Sequence, residues 1–251
     1  MEIKRKPYQG VLNIIRFNWH FYAVAGVVIF TLIFFKEILP QQLQYVILAA
    51  IIMTILNIII SLSVSFYIYD VSDLYKLKWL PDTNKKQVLT INAGFDETSD
   101  LIINKFPLTE LTICDFYNSK KHTEVSIERA RKAYPPAAKT MQVVTDSLPF
   151  PDNSFDYSFT ILAAHEIRNE NERVQFFKEL SRVTKITGYI YVTEHLRDLN
   201  NFMAYSIGFF HFHSKPTWLR TFEKANLSVY KDIKVTPFVT TFILSQNENS
   251  L

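Results

Sequence analysis

The chain has 251 residues, of which 48% are hydrophobic and 15% aromatic, and a formal net charge of +3. This length allows one full domain with a smaller appendage, and the composition predicts a packed core rather than a disordered chain. The small charge, with no basic stripe in the sequence, argues against nucleic-acid binding, and the single cysteine, Cys114, excludes an intrachain disulfide.

Two long apolar runs open the chain. Residues 17–35 and 43–69 contain no Asp, Glu, Lys or Arg, and a short polar stretch separates them. Each run reaches the roughly 20 residues that a helix needs to cross ~30 Å of hydrocarbon. We therefore predict a transmembrane helical hairpin over residues 1–70, with the lipid bilayer as its partner.

Three other interpretations of the apolar runs were considered. A signal peptide needs a small-residue cleavage site after the first run, where the chain has Phe34, Phe35, Lys36 and Glu37. A buried hairpin of a soluble protein is disfavoured by the uncharged length of the second run. An interfacial helix needs a polar face, which neither run has.

Basic residues flank the hairpin on one side only. They lie at residues 4–16 and 76–86, whereas the turn between the two runs is nearly neutral. By the positive-inside rule, both termini and the domain that follows are expected in the cytoplasm. Residues 71–86 mix charges with apolar side chains, which predicts a short interfacial helix leading to a domain over residues 87–251.

From residue 87 onward, apolar strands alternate with helices, which predicts an α/β fold. Residues 101–106 are a predicted helix, and a later helix is expected to begin at a cap, Asn169 or Asn171. Cys114 falls within the second strand, so we expect a core residue rather than a nucleophile. The predicted strands are residues 87–91, 111–114, 141–144, 155–163 and 188–193.

Two of these strands end in clusters of titratable side chains. One is followed by His165-Glu166-Ile167-Arg168, and the next by Glu194-His195-Leu196-Arg197-Asp198. Ligands of open α/β sheets bind outside the carboxyl ends of the strands, so we expect both clusters to border one cleft. The simpler alternative is a pair of loops with solvated charges. The candidate catalytic residues are His165, Glu166, Arg168, Glu194, His195 and Arg197.

Two motifs in this part of the chain resemble those of class I S-adenosylmethionine-dependent methyltransferases. Residues 148–156, LPFPDNSFD, are similar to the segment before that family's fourth strand, and residues 177–188, FKELSRVTKITG, to its helix and turn before the fifth. The similar region covers residues 87–244. The resemblance implies a Rossmann-like fold, a mostly parallel seven-stranded sheet with helices on both faces. Residues 227–235 and 239–244 would be its antiparallel last strands.

The resemblance also implies S-adenosyl-L-methionine as cofactor, bound in part by the loop after the first strand. In the family this loop is rich in glycine, but here only Gly94 matches. Asn92 and Asp96 stand where the family has glycines, and Thr90 stands where it has an acid. Asparagine adopts left-handed backbone angles more readily than most residues, so Asn92 can substitute for a glycine.

The nucleoside part of the cofactor is assigned by the same resemblance. An acid after the second strand contacts both ribose hydroxyls in the family, and Asp115 has this position. Phe116 would flank the adenine, and Asp146 would contact its amino group. The full set of implied cofactor-binding residues is Asn92, Ala93, Gly94, Phe95, Asp115, Phe116, Asp146, Ser147 and Ala163.

The leading hypothesis is a membrane-anchored methyltransferase acting on a lipophilic small molecule, such as an isoprenoid quinone precursor, a polyene phenol or a lipid headgroup. His165 or His195 would remove the proton of an oxygen acceptor, because an unperturbed histidine titrates near neutrality. The adjacent glutamates would orient these rings, and Arg168 or Arg197 would bind an anionic oxygen. Residues 201–213, which are unusually aromatic, would cover the pocket and touch lipid, unless they form an ordinary core helix.

Two alternatives to this hypothesis stay open. The altered glycine loop is compatible with a catalytically inactive, membrane-tethered binding module. A metal-dependent hydrolase would need ligands of the kind that the cleft region contains, but their spacing matches no metal motif, so we assign no metal ligands. The sequence makes no prediction of oligomeric state. The residues behind the hydrolase alternative are His165, His195, His211, His213, Glu166, Glu194 and Asp198.

Overall fold

The structure, a computed structural model, describes residues 5–247 and begins with two long helices. Helix α1 (Gln9–Phe35) and helix α2 (Gln41–Phe66) are joined by a 3₁₀ turn at Lys36–Ile38. A π-helical turn at Tyr67–Val71 follows α2. Both helices are long and apolar enough to cross a membrane. Lys4, part of the predicted basic flank, lies outside the described residues.

Asp70 fixes the start of α1 against the end of α2. Its carboxylate accepts hydrogen bonds from the backbone N–H of Gly10 at 2.7 Å and of Val11 at 2.8 Å. A carboxylate is a favourable partner for these free donors at a helix N-terminus. A Cβ atom at Gly10 would lie 2.3 Å from Cβ of Tyr69, so only glycine allows this approach. The domain ends of the two helices are therefore held together.

The segment after the hairpin forms turns instead of the predicted interfacial helix. No helix occurs between residues 72 and 86, all of which the structure describes. Leu77 and Leu80 are buried and pack with Val88 and Phe159 of the sheet. The prediction was wrong because these apolar side chains cover a face of the sheet rather than a membrane surface.

The rest of the chain forms one seven-stranded sheet. Its strands are β1 (Gln87–Asn92), β2 (Glu110–Asp115), β3 (Met141–Gln142), β4 (Phe155–Ile161), β5 (Thr184–His195), β6 (Leu227–Thr236) and β7 (Val239–Gln246). They pair in the order β3-β2-β1-β4-β5-β7-β6. Strands β1 to β5 are parallel, and β7 is antiparallel to both of its neighbours. This confirms the predicted mostly parallel, Rossmann-like sheet.

Shorter helices pack around the sheet. Asn169 caps one of them, as predicted, by accepting a hydrogen bond from the backbone N–H of Glu172. On the same side of the core, Phe177 packs edge-on against Trp218 and Phe222. These helices are α3 (Ser99–Lys105), α4 (Val125–Ala133), α5 (Glu170–Val183), α6 (Leu199–Tyr205) and α7 (Lys215–Lys224).

The strand ends differ from those predicted by one to four residues, and the differences in β4 and β5 affect the site. Strand β5 begins at Thr184, so Gly188 lies inside the strand instead of before it. Position 188 requires glycine, because a Cβ atom there would lie 2.5 Å from the Asp156 carbonyl oxygen. Glycine inside a strand commonly marks such a close backbone approach. Strand β4 ends before Leu162, whose φ of 52° is incompatible with an extended backbone. The loop after β4 therefore turns sharply into His165.

Candidate active site

A cavity of about 890 Å³ lies at the carboxyl ends of β1, β4 and β5. The end of β1 and the residues after β4 and β5 form one side of it. The halves of α1 and α2 that are nearest the domain form the other side. Its volume falls within the ~300–1,000 Å³ that is typical of small-molecule sites. Its position is the one expected for a ligand of an open α/β sheet.

The loop after β1 keeps this cavity open although it lacks the family's glycines. Asn92 turns its side chain onto the backbone: Oδ1 accepts from the Gly94 N–H at 3.1 Å, and Nδ2 donates to the Cys114 carbonyl at 3.0 Å. Asp96 Oδ1 accepts from the backbone N–H of Thr98 and of Ser99, at 2.9 and 3.0 Å, and so begins α3. Both replacements therefore support the loop.

Asp115, the predicted ribose ligand, is paired with another side chain. It is 1% exposed and lies at the end of β2. Its Oδ1 accepts from the Tyr117 N–H at 2.8 Å, and its Oδ2 binds the guanidinium of Arg131. That guanidinium also lies 4.5 Å from the centre of the Tyr117 ring. Asp115 can therefore bind ribose hydroxyls only if Arg131 gives up this contact.

The predicted cofactor-binding residues divide into two groups. Asn92, Ala93 and Phe95 line the cavity. Asp146 is exposed beyond the short strand β3, because the chain leaves the sheet after Gln142. The residues of the predicted set that do not line the cavity are Gly94, Asp115, Phe116, Asp146, Ser147 and Ala163.

The two strand-end clusters meet at one end of the cavity. His165 Nδ1 lies 2.6 Å from Glu194 Oε2, and the His165 backbone N–H donates to Glu194 Oε1 at 3.2 Å. His165 Nε2 lies 3.1 Å from Oε1 of Glu166, and the same oxygen lies 3.4 Å from Nε2 of His211. A carboxylate from β5 thus orients the imidazole that follows β4.

The charge of His165 follows from these neighbours. Burial disfavours the imidazolium, but Glu194 and Glu166 outweigh it and raise the pKa of His165 to about 10. Burial would raise the pKa of Glu166, yet its contacts with His165 and His211 hold it well below its usual value. As the cluster stands, His165 is protonated at neutral pH, so the predicted role as proton acceptor does not fit it.

His195, the other predicted base, is neutral and held on both ring nitrogens. Its Nε2 lies 2.8 Å from the Tyr69 hydroxyl, and its Nδ1 lies 3.1 Å from Asn201 Oδ1. Its ring stacks on Phe212 with centroids 4.8 Å apart. Burial lowers its pKa to about 4, although the Asn201 contact opposes this. Tyr69 and His195 both line the cavity, so this imidazole can accept a proton through the Tyr69 hydroxyl.

The two arginines of the clusters hold the segment after α6 rather than line the cavity. Arg197 donates to the backbone carbonyls of Phe212 at 2.8 Å and Phe210 at 2.7 Å. Arg168 donates to the His211 carbonyl and lies 3.4 Å from Glu124. Neither arginine lines the cavity, so their contact with an acceptor oxygen stays a prediction.

The predicted aromatic cover at residues 201–213 is formed by α6 and a 3₁₀ turn at Ser206–His211. Tyr205, Gly208, His211 and Phe212 line the cavity. The outward side chains are apolar and exposed; they are Leu199, Phe202, Met203, Ile207 and Phe210.

Sequence reasoning missed the contribution of the hairpin to the site. Asn13, Asn18, Asn57, Ser61 and Ser65 line the cavity from α1 and α2. A signal for them was present, because polar residues within a predicted membrane span commonly face a cavity or a bundle interior. Glu97 was also missed: it lines the cavity, pairs with Arg5 at 2.9 Å and accepts from the Tyr75 hydroxyl at 2.7 Å.

Comparison with known proteins agrees with this fold. Residues 118–192 match the family model described as a methyltransferase domain. A SAM-dependent methyltransferase from Aquifex aeolicus superposes with a TM-score of 0.51 at 17% identity, covering 71% of this chain and 92% of that one. The pyocyanin biosynthetic protein PhzM superposes with a TM-score of 0.51 at 10% identity, covering 69% of this chain and 54% of that one. No curated protein matches.

The sheet order and the cavity at its carboxyl edge define a protein with the class I methyltransferase fold. Residues 118–192 match the methyltransferase-domain model, and the fold is the one that the motifs predicted.

The cavity residues fit S-adenosylmethionine in two different ways. Beside β1, the side chains of Asn92 and Asp96 are bonded to backbone, and Asn92, Ala93 and Phe95 already border open space. At the end of β2, Asp115 supplies the buried carboxylate that two ribose hydroxyls need, but Arg131 has to release it. Asn92, Ala93, Phe95 and Asp115 are therefore the residues that would hold the cofactor.

Proposed function

We propose that this protein is an S-adenosylmethionine-dependent methyltransferase that is anchored in a membrane by α1 and α2 and transfers a methyl group to an oxygen of a lipophilic acceptor. The observation that carries the proposal is the shared cavity. Residues of the sheet's carboxyl edge and residues of the two apolar helices line the same space. An acceptor bound there would contact the catalytic edge and the membrane helices at once.

The outer surface of the hairpin supports a lipid environment. Beyond the cavity, α1 and α2 expose large apolar side chains over most of their surface, and such an area is a liability in water. Each helix is about 40 Å long, enough to cross the ~30 Å hydrocarbon layer. The exposed side chains include Val24, Val27, Phe30, Phe34, Tyr45, Val46, Met53 and Ile59.

The position of the cavity along the helices supports an amphiphilic acceptor. The cavity is lined by residues 10–22 of α1 and residues 57–69 of α2 and its turn, which are the domain ends of the hairpin. The remaining apolar length of α1 is about 20 Å, so the cavity would lie near one membrane interface. A polar headgroup could reach His165 and Glu166 while its apolar tail stays between the helices.

The basic flanks support a cytoplasmic domain. Arg5, Lys6 and Arg16 precede or begin the first span, and Lys76 and Lys78 follow the second, whereas the 3₁₀ turn between the helices holds a Lys36–Glu37 pair. This asymmetry favours both termini on the inner side.

The residues of the cavity can assist methyl transfer by positioning and by accepting a proton. Bound S-adenosylmethionine supplies an activated methyl group on a sulfonium. The chain has to align the acceptor and remove the hydroxyl proton. We assign the proton to His195 through Tyr69, because His195 is neutral and its Nε2 faces the Tyr69 hydroxyl at 2.8 Å. Glu194 orients His165, which with Glu166 faces the acceptor end of the cavity.

A second candidate function is a membrane-tethered binding module without activity. The Asp115–Arg131 pair favours it, because that pair occupies the carboxylate which the ribose needs. In the enzyme the cofactor would displace Arg131 from Asp115, whereas in the binding module this pair would stay intact.

Calorimetric titration of the full chain in detergent with S-adenosylmethionine and S-adenosylhomocysteine separates these two functions. We expect both to bind, and we expect transfer of radiolabelled methyl into a membrane lipid extract. Binding of neither ligand would contradict the enzyme and favour the module. Binding with transfer only into water-soluble acceptors would contradict the lipophilic substrate.

A labelling experiment tests the membrane topology. Leu39→Cys places a thiol in the turn between α1 and α2, and the native Cys114 is fully buried and so does not interfere. A membrane-impermeant thiol reagent should label Leu39→Cys from outside intact cells but leave the matched control Asn84→Cys, in the domain linker, unlabelled. Labelling of the control alone would reverse the topology, and equal labelling of both in a soluble fraction would exclude spanning.

A further inference from the structure

Two histidines and one glutamate converge on a single point in the cavity. The side chains of His165, Glu166 and His211 each offer an atom within 4.8 Å of the others, and all three line the cavity. Glu166 Oε1 lies 3.1 Å from His165 Nε2 and 3.4 Å from His211 Nε2. Ligand atoms of a tetrahedral Zn²⁺ ion with bonds of ~2.0–2.1 Å lie about 3.3 Å apart. The two edges measured here match that spacing.

The ring nitrogens that face away from this point are each held by a further carboxylate. His165 Nδ1 lies 2.6 Å from Glu194 Oε2, and His211 Nδ1 lies 3.0 Å from Glu124 Oε1. Metal-bound histidines commonly have such a carboxylate on the second nitrogen, which fixes the tautomer and turns the other nitrogen toward the metal. A carboxylate lies at Nδ1 of both histidines here, although Arg168 also contacts Nδ1 of His211, and both Nε2 atoms lie near Glu166.

The balance of charge also favours a cation. The described cluster holds three carboxylates, Glu166, Glu194 and Glu124, around two imidazoles, and a bound cation would replace the positive charge that His165 carries without it. Arg168 is the neighbouring positive group: its Nη2 lies 2.6 Å from His211 Nδ1 and 3.0 Å from His211 Nε2. This exposed guanidinium would have to move toward Glu124, which it already approaches to 3.4 Å.

The other two histidines of the region lie outside the cluster. His195 is bonded to Tyr69 and Asn201, and His213 Nε2 lies 3.2 Å from Arg173 Nη1. Spacing in the sequence could not separate these residues from His165 and His211, which lie 46 positions apart in the chain.

We propose that His165, Glu166 and His211 form a binding site for a divalent transition metal of the zinc class, with an open position toward the cavity. Two imidazoles and one carboxylate suit such an ion, and three protein ligands with an open fourth position are typical of catalytic rather than structural sites. The open position would take an oxygen of the acceptor. This role, but not the site itself, rests on the proposed function.

Metal content and zinc titration of the full chain in detergent test the site. After removal of metal with a chelator, we expect ZnCl₂ alone to bind at one equivalent per chain. Glu166→Gln should weaken zinc binding by at least tenfold, and Glu194→Gln by about tenfold or more. His213→Gln, a neighbouring histidine outside the cluster, is the matched control and should bind zinc as the unchanged protein does.

Less than a tenth of an equivalent of zinc, or equal zinc affinity of Glu166→Gln and His213→Gln, would overturn the site. If a variant fails to fold, the unchanged protein loaded with Co²⁺ gives the answer. Intense visible bands of four-coordinate cobalt support the site, and the weak spectrum of the hexa-aqua ion overturns it. Titration of the same samples with S-adenosylmethionine distinguishes the zinc site from the proposed methyltransferase function. Zinc binding without cofactor binding would support the zinc site and exclude only its role in binding the acceptor oxygen.

Discussion

The two sides of the cavity use their polar side chains differently. On the nucleoside side, at the ends of β1 and β2, Asp115 lies behind the cavity lining and is bound by Arg131, and Asn92 is bound to backbone atoms of Gly94 and Cys114. On the acceptor side, His165, Glu166 and His211 converge on a point that borders open space. The replaced glycines have therefore not closed the cavity. The two sides differ in which polar groups are available to a ligand. His165, Glu166 and His211 already border the cavity, whereas Asp115 has to exchange Arg131 for the ribose.

The largest effect should come from breaking the Tyr69–His195 contact on the acceptor side. Tyr69→Phe and His195→Gln should each lower the rate of methyl transfer about 100-fold, because they remove the path for the acceptor proton. Cofactor affinity should stay unchanged, since neither residue lies at the ends of β1 or β2. The measurement is transfer of radiolabelled methyl to a lipid extract beside calorimetry with S-adenosylhomocysteine.

The pH profile separates this role from a structural one. The pKa of His195 is lowered to about 4, so its neutral form persists above that value and the rate should fall only as pH approaches 4. Tyr67→Phe, on an exposed tyrosine two positions away, is the control and should keep the full rate. A rate that is unchanged in Tyr69→Phe would remove the proton path from the proposal.

The next effect concerns the nucleoside side. Asp115→Asn should weaken S-adenosylmethionine binding by at least tenfold, because hydrogen bonds to a charged group contribute about 1.5–3 kcal/mol and the amide lacks the charge. Asp146→Asn, the other acid implied by the family resemblance, should leave the affinity unchanged, since Asp146 is exposed and lies beyond the short strand β3. Calorimetry of the two variants side by side is the measurement. The opposite order of effects would mean that the nucleoside binds beside β3 instead.

Much of the fold could be predicted because its signals are local. The strands follow from runs of apolar residues, the start of α5 from the capping side chain of Asn169, and the two long helices from uncharged apolar runs. The two strand-end clusters were also predictable, since parallel strands carry their carboxyl ends to one edge.

What the sequence did not predict depends on distant partners. The pairing of Asp115 with Arg131 crosses from β2 to α4, and no local pattern in the sequence indicates it. His195 differs from His165 in its partners, because its Nε2 contacts the hydroxyl of Tyr69, which lies 126 positions away in the chain. Periodicity gives the face of an element, but not which side chain of another element will meet it.

A smaller effect, of opposite sign, should follow from Arg131→Gln. The change frees Asp115 for the ribose, so the affinity for S-adenosylmethionine should rise, by up to about tenfold. The free protein should become less stable at the same time, since a buried carboxylate loses its partner. Lys132→Gln is the matched control, because Lys132 is exposed and pairs with Glu128 on the same helix. Weaker cofactor binding in Arg131→Gln would show that Arg131 helps to bind the cofactor instead of competing with it. The two sides of the cavity would then differ less than described.

The smallest effect is a pH dependence of stability that originates at His195. Its folded pKa of about 4 lies below the usual 6.5, so protonation favours the unfolded chain. The stabilisation is fully present above pH 6.5 and is lost as pH falls toward 4, by roughly 1.4 kcal/mol for each pH unit. That corresponds to about 2–4 °C in Tm per 1 kcal/mol for a chain of this size. His195→Gln should therefore lose less Tm than the unchanged protein between pH 6.5 and 5, while the carboxylates common to both cancel in the difference. Equal slopes of Tm against pH in the two proteins would mean that the His195 imidazole is in contact with water. His195 would then not be the buried, neutral partner of Tyr69.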